Sequence, residues 1–557
     1  MNFLKIFCDS FVDNWDRPAI CDLDTGLTLD YGSLGARIER VLQLFASLGI
    51  PSTPGKTHIG IVGHNSIDWV TVFMATMLGG HVAVACPLAP NLDDTLSLMS
   101  IADVEILFID KTLVTDSVNW SEYPSIKLVI TMDTQRVVAF MATEYSNAQQ
   151  QLDKIDMEFT HLFPSGFLPS DVHAPNIAPD TPLGIFFTSG TLGMPKAVVL
   201  TSDSLEGNAI FGIRSRLYAR GASTVVTSPL GSVRLCIFAL LVPLASGCKI
   251  NIFKDYYNPE ELIRVFKKTK PLRIILNPYQ AREMYALIQR EYYSSKLYKF
   301  IKLLPMNSKL VNLGIKRTFN SSVGGKCKEL VIGSSNIGRG LLNRLRESQI
   351  NFTVSYGLVE TGGIITYSPS NEFVVGTVGV PLKSIIKCRL RPIDIPGLPD
   401  GTGILEVRGM NVMKEYYKDP ELTEESFTPD GWLQTGDLAT INNRGVVRLV
   451  ARYDSLIQRN GGVAVPERIE AEFIDTTLIK QVVAVERDGL IVAIVYPDLE
   501  TIHALHGPDV DVAKLLEETR LKINRHLPPA CNVDEIEISP NPLDITLKGT
   551  VSRYMYF

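Results

Sequence analysis

The sequence predicts an α/β protein with a large N-terminal domain of β-sheets flanked by helices, a β-rich subdomain after it, and a small C-terminal α+β domain. Three observations predict this. The chain has 557 residues, well beyond the roughly 250–300 at which a single core stops growing. Short β-rich runs alternate with helix-like stretches through the first part of the chain, which argues for parallel sheets with crossover helices. After about residue 375 the texture changes to brief apolar runs punctuated by Gly, Pro and Asp, the mark of short strands and turns.

The strand-like runs come in order as HIGIVG (58–63), HVAVACPL (81–88), EILFID (105–110), KLVITM (127–132) and KINIF (249–253). The same pattern continues in LRIILNP (272–278), CKELVIGSS (327–335) and NFTVSYG (351–357). The longest apolar run, Leu235 to Ala245, is about half of the roughly 20 residues needed to cross a bilayer, and it reads as a core segment. GTVGVPL, GTGILEVRG and DGWLQTGD make up the β-rich part. A final segment from Tyr453 follows a β-α-β-like order: VVRLVARYD, a helix at PERIEAEF, QVVAVER, LIVAIVYP, a helix at VAKLLEETRLKINRHL, then VDEIEIS. The chain therefore divides into a large domain, 1–452, and a small one, 453–557.

Hydrophobic residues make up 45% and charged residues 20%, ordinary globular usage that excludes disordered and fibrous classes. A net charge of -6 gives no global case for nucleic-acid binding. The cysteines, Cys8, Cys21, Cys86, Cys236, Cys248, Cys327, Cys388 and Cys531, stand singly with no CxxC pair, and read as buried thiols of a reducing compartment. Asp9, Asp13 and Asp16 interrupt the apolar pattern of the N-terminus, so it lacks the core of a signal peptide and a cytoplasmic location is expected.

The most specific feature is FFTSGTLGMPKAVVLT, residues 186–201. A strand-like run leads into Thr188, Ser189, Gly190, Thr191, Gly193 and Pro195, then Lys196 and a second strand-like run. Hydroxyls and close glycine backbone can wrap phosphate oxygens while a lysine supplies a point charge. A polyphosphate site is implied. It is not a Walker loop, because GxxxxGK[ST] is absent and a strand, not a helix, follows.

This segment is similar to the TSGTTGxPKG signature of the adenylate-forming (AMP-binding) superfamily, which includes acyl-CoA ligases, peptide-synthetase adenylation domains and luciferases. Further segments recur in that family's order. SYGLVETGG (355–363) resembles YGxTE, and the resemblance implies that Glu360 binds Mg²⁺, that Tyr356 and Gly357 flank the nucleotide, and that Gly333, Ser334 and Ser335 line it. Residues 431–472 resemble the stretch carrying TGD, GRxxDxI and PxEIE. Asp437 would then accept both ribose hydroxyls, Arg452 would approach ribose or phosphate, and Asp454 would be the hinge. The tail NPLDITLKGTVSRYMYF resembles the closing segment whose lysine reaches the α-phosphate; the TLKG spelling puts Lys548 in that role, whereas aligning on Gly549 puts Thr550 there.

The resemblance implies the adenylate-forming enzyme fold and its chemistry. Attack of a carboxylate on the α-phosphorus of ATP joins two anions, so charge must be neutralised and the groups held in line. Lys196, Lys548 and Mg²⁺ on Glu360 would do this, and a thiol then attacks the acyl-adenylate. In the family the small domain rotates between these half-reactions. NVMKEYYKDPELT, TLKG, the ending RYMYF and an insert before residue 326 look most like bacterial long-chain fatty acid–CoA ligases. That implies a long- or medium-chain fatty acid and coenzyme A.

Two other readings stand beside it. One loads an acyl or aryl acid onto an acyl carrier protein. The other is a weakened nucleotide-binding homologue, because Leu192, Ala197, Val359, Ala451 and Gln458 depart from the family's spelling and Ser232 stands for the histidine of LPLxH. Between Tyr292 and Lys328 there are eight Lys or Arg and no Asp or Glu, interleaved with aromatic and aliphatic residues. Such a surface suits an anionic membrane, an acidic carrier protein or plain solvent.

Overall fold

The computed structural model describes residues 3–51, 53–115, 117–188, 194–301, 308–333, 337–459, 462–476, 478–544 and 551–556. At its centre is an eight-stranded sheet in the order Glu415–Tyr416, Ala197–Thr201, Pro182–Phe187, Val82–Ala85, His58–Val62, Ile106–Ile109, Leu128–Thr131 and Val137–Phe140. The five strands from Pro182–Phe187 to Leu128–Thr131 run parallel. Their near-continuous apolar sequences are what a sheet covered on both faces demands.

Helices Tyr31–Ser47 and Ile67–Leu78 cover one face, and both start on local signals. Asp30 accepts the Ser33 N–H at 2.6 Å, and Ser66 accepts the Trp69 N–H at 3.0 Å, each satisfying an N–H that the first turn leaves open. Trp69, 1% exposed, stacks on Phe73 with ring centroids 5.0 Å apart. Burying a ring of about 200 Å² contributes on the order of 5 kcal/mol at ~25 cal/mol per Å², as an upper bound.

A second parallel sheet joins Arg273–Leu276, Glu329–Ile332 and Phe352–Val354. Its carboxyl ends lead to Asn277, Gly333 and Tyr356, the side of an open α/β sheet where ligands bind. The Leu235 to Ala245 run is buried as far as Leu244, with a π-helix over Cys236–Leu241. Among the described residues no helix is long and apolar enough to cross a membrane. All eight cysteines are free, six of them buried, while Cys327 and Cys388 are half-buried.

The β-rich part is an antiparallel sheet of Ile386–Pro392, Gly403–Gly409, Leu433–Ile441 and Val447–Arg452. VVRLVAR therefore belongs to this sheet and does not lead the C-terminal unit. Beyond the short turn Tyr453–Ser455, strands Ile479–Arg487, Leu490–Pro497 and Glu535–Ile538 form a separate sheet. Helices Pro466–Ile474 and Val512–Asn524 pack on one face through Ile469, Phe473, Leu516 and Ile523. Among the described residues that apolar cluster draws none from before Ile457. One bond to the larger part is specific: Asp475 accepts the Gly340 N–H at 2.6 Å, at the start of helix Arg339–Glu347, and lies 3.8 Å from Arg344. A Cβ on Gly338 would come within 2.8 Å of that carboxylate.

Candidate active site

The segment expected to hold phosphate is the turn of a hairpin. Pro182–Phe187 and Ala197–Thr201 pair antiparallel with Phe187 opposite Ala197. One residue further on, the Thr188 N–H donates to the Lys196 carbonyl at 3.0 Å and the Lys196 N–H donates to the Thr188 hydroxyl at 2.9 Å. Thr188 thus closes the base of the turn with side chain and backbone together. Ser189, Gly190, Thr191, Leu192 and Gly193 lie outside the described residues. The Ala197 side chain is buried in the apolar cluster beneath the sheet, so its added methyl fills core volume.

Lys196 is exposed, its ammonium 5.3 Å from the ring centroid of Tyr416. Tyr416 is held beside it because Glu415–Tyr416 adds an edge strand to the hairpin, with Tyr416 opposite Val198. The Tyr416 hydroxyl donates to Glu360 Oε1 at 2.8 Å. Glu360 sits in the turn Val359–Thr361, and its carbonyl accepts the Met413 N–H at 2.7 Å. Burial, reinforced by Glu360, pushes the Tyr416 hydroxyl up, so it stays a donor at neutral pH. The sequence gives no sign of this tyrosine's part beyond its place in EYYKDPELT, because the contact joins three distant segments.

A second cluster gathers Tyr356, Asp437 and Arg452. Asp437 and Arg452 are direct partners across antiparallel strands, with Nη1 to Oδ1 at 3.4 Å. Arg452 Nη1 also donates to the Thr435 carbonyl at 3.2 Å, and the Thr435 hydroxyl accepts the Asp437 N–H at 3.1 Å. The Tyr356 hydroxyl donates to Asp437 Oδ2. Burial raises the Asp437 carboxyl above its usual range, with Arg452 pulling the other way. Burial opposes the Arg452 charge, yet Asp437 and Tyr356 hold its value raised. Gly436 has φ +74, and a Cβ there would come within 3.1 Å of the Arg452 guanidinium.

Gly333 ends its strand with no room for a side chain: a Cβ would lie 2.6 Å from the Ser355 carbonyl and 2.8 Å from Arg234. Ser334 and Ser335 lie outside the described residues. Gly357 is equally tight, since a Cβ would run into the backbone at Gly363 and Ile364. Arg234, which the sequence reading passed over, is buried beside Gly333 and Gly363, and burial pushes its guanidinium down to about 10. Ser232 precedes that same short helix without a side-chain hydrogen bond to its first turn, and is half-buried. Asp454 is exposed in the turn between Arg452 and the strand Ile457–Arg459. Lys548, Gly549 and Thr550 lie outside the described residues.

The structure therefore brings Lys196 and Glu360 to one tyrosine, and Tyr356, Asp437 and Arg452 into one hydrogen-bonded group. Lys196 at the end of the hairpin lies near the Glu360 carboxylate, and Asp437 stands on the antiparallel sheet. The chain matches the AMP-binding enzyme family over residues 10–417 and belongs to it.

Among relatives, long-chain-fatty-acid–CoA ligase 1 of Cavia porcellus is 25% identical over 506 residues, covering 85% of this chain and 70% of that protein. Long chain acyl-CoA synthetase 1 of Arabidopsis thaliana is 26% identical over 529 residues, covering 86% and 76%. Among solved structures, ATP-bound MatB from Rhodopseudomonas palustris is similar with a TM-score of 0.73 at 20% identity, covering 100% of this chain and 99% of that one. O-succinylbenzoate coenzyme A synthetase of Bacillus subtilis, in complex with ATP and magnesium, scores 0.71 at 18% identity over 99% and 98%. The fold is that of the adenylate-forming enzymes.

Proposed function

We propose that the chain is an AMP-forming acid–thiol ligase that activates a long- or medium-chain fatty acid with ATP and Mg²⁺ and passes the acyl group to coenzyme A. The observation that carries this reading is the meeting of Lys196 and Glu360 at Tyr416: an ammonium for phosphate over the ring and a carboxylate for a metal at its hydroxyl. The acid and the acceptor follow from what the fatty-acid relatives are named for.

Glu360 fits a magnesium ion. Mg²⁺ ordinarily takes one or two carboxylates and fills its remaining positions with water and substrate phosphates. Among the described residues no group of three or more His, Cys, Asp and Glu offers an all-protein cage. The ion would neutralise phosphate charge. Lys196 and the backbone of 189–193 hold the polyphosphate, with Gly333, Ser334, Ser335, Tyr356 and Gly357 around the nucleotide. Asp437 takes the ribose hydroxyls, since its two oxygens keep acceptor capacity beyond Tyr356 and Arg452. Lys548 comes from residues 453–557, turning about Asp454, to steady the α-phosphate and the acid. The acid's oxygen bonds to the α-phosphorus as pyrophosphate leaves; the thiol sulfur then bonds to the acyl carbon as AMP leaves.

A pyrophosphate-release assay over a panel of acids, with and without coenzyme A, tests the reading. Release with fatty acids, and acyl-CoA formation when coenzyme A is added, is the expected result. Thioester formation only on a carrier protein would turn the reading to carrier loading. ATP binding without turnover of any acid would make the chain a weakened homologue.

The enzyme also makes a peripheral membrane contact in this reading, from a cytoplasmic location. Helix Lys296–Ile301 exposes Leu297 (49%) and Phe300 (64%) one turn apart, and helix Ser308–Ser322 exposes Leu310 and Leu313 in the same way. Lys296, Lys299 and Lys309 are exposed between them. Apolar side chains among exposed lysines complement an anionic lipid surface.

A further inference from the structure

We propose that Tyr416 is a positioning residue for adenylation, setting the metal-binding carboxylate and the phosphate-binding lysine in one geometry. The proposal rests on the roles given to Glu360 and Lys196 above. It concerns one side chain with two working parts. The hydroxyl donates to Glu360 Oε1 at 2.8 Å, which fixes the carboxylate's rotation and leaves Oε2 for a cation. The ring offers its negative face to the Lys196 ammonium at 5.3 Å, close enough for cation–π attraction.

The backbone carrying this side chain is braced on every side. Tyr416 pairs with Val198 of the hairpin, so it moves with the phosphate turn. Its N–H donates to the Thr423 hydroxyl at 3.0 Å, and that hydroxyl donates to the Asp419 carbonyl at 2.7 Å. Asp419 in turn accepts the Leu422 N–H at 3.0 Å and starts the helix Pro420–Ser426. The segment YYKDPELT is thereby a bracket whose aspartate, proline and threonine hold the tyrosine in place. On the outer side the Tyr417 hydroxyl donates to Asp103 at 2.8 Å, and Lys418 pairs with the same carboxylate.

Such a residue acts through others. Removing its hydroxyl frees Glu360 to rotate, which weakens metal capture without touching phosphate. Removing the ring also loosens Lys196. Two variants separate these parts: Tyr416→Phe keeps the ring, and Tyr416→Leu keeps neither.

The test is calorimetric ATP binding, without acid, over a magnesium titration, for the wild type, Tyr416→Phe, Tyr416→Leu and Glu360→Gln. Tyr416→Phe is expected to need about tenfold more Mg²⁺ for half-maximal ATP binding, the effect of one hydrogen bond to a charged group. Its ATP affinity at saturating Mg²⁺ should match the wild type. Tyr416→Leu should show the same magnesium shift and, in addition, several-fold weaker ATP binding at saturation. A magnesium requirement unchanged in Tyr416→Phe but shifted in Glu360→Gln overturns the proposal and leaves the metal site standing. If Glu360→Gln changes nothing either, the metal role of Glu360 is wrong. Should Tyr416→Leu fail to fold, Tyr416→Phe alone decides.

Discussion

Asp437 and Arg452 stand opposite each other in register on neighbouring antiparallel strands, and the carboxylate is shared with the Tyr356 hydroxyl. The Asp437 carboxylate is thus oriented from both sides.

Asp437→Asn keeps the shape and replaces one acceptor oxygen by a donor. The KM for ATP is expected to rise about tenfold or more, with the circular dichroism spectrum unchanged. An unaltered ATP requirement would remove Asp437 from the nucleotide site.

The same carboxyl predicts a pH effect. Burial raises its folded-state value above 3.8, outweighing the help of Arg452. A group raised on folding binds its proton more tightly when folded, so its contribution to stability is whole below the unfolded value and is lost as pH rises through the folded one. Urea midpoints of the wild type and Asp437→Asn, measured from about pH 4 to about pH 7, should move in favour of the variant as pH rises. A gap that stays constant would mean that the carboxyl titrates alike in both states.

Lys548→Ala should abolish acyl-adenylate formation and leave thioester formation from supplied adenylate largely intact. Thr550→Ala should spare both. Equal loss of the two half-reactions in Lys548→Ala would assign the lysine another part.

Charge reversal of Lys296, Lys299 and Lys309 to Glu should abolish co-sedimentation with phosphatidylglycerol vesicles and leave adenylation of a soluble acid unchanged. Raising salt should weaken wild-type binding, since exposed charges are screened over about 10 Å at 0.1 M. Equal binding to neutral phosphatidylcholine would discard the electrostatic account.

Much of the fold could be read directly, because strands buried on both faces spell continuous apolar runs: His58–Val62, Ile106–Ile109 and Glu329–Ile332 sit where those runs lie. The hairpin was legible for the same reason, as two such runs around glycines. VVRLVAR was given to the C-terminal unit because a strand's own residues do not say which neighbour it will pair with; only the partner Leu433–Ile441 decides. Tyr416 went unassigned since its meaning lies in Glu360 and Lys196, distant along the chain and adjacent only after the edge strand forms. Thr435 and Arg234 were passed over for the same reason, since the Arg452 guanidinium that donates to Thr435 and the glycines Gly333 and Gly363 beside Arg234 come from other segments.

The Asp475 carboxylate gives the C-terminal unit a resting orientation. Swinging residues 457 onward about Asp454 would strip the Gly340 N–H of its acceptor, a loss of about 1 kcal/mol for a helix cap. That one bond is a factor of about five in population. The cap acts beside the Arg344–Asp475 pair, the Arg282 guanidinium donating to the Lys480 carbonyl at 3.5 Å, and Val465 packed with Ile404, Leu438 and Ala451, so the tail is seated by a small patch at the head of a helix.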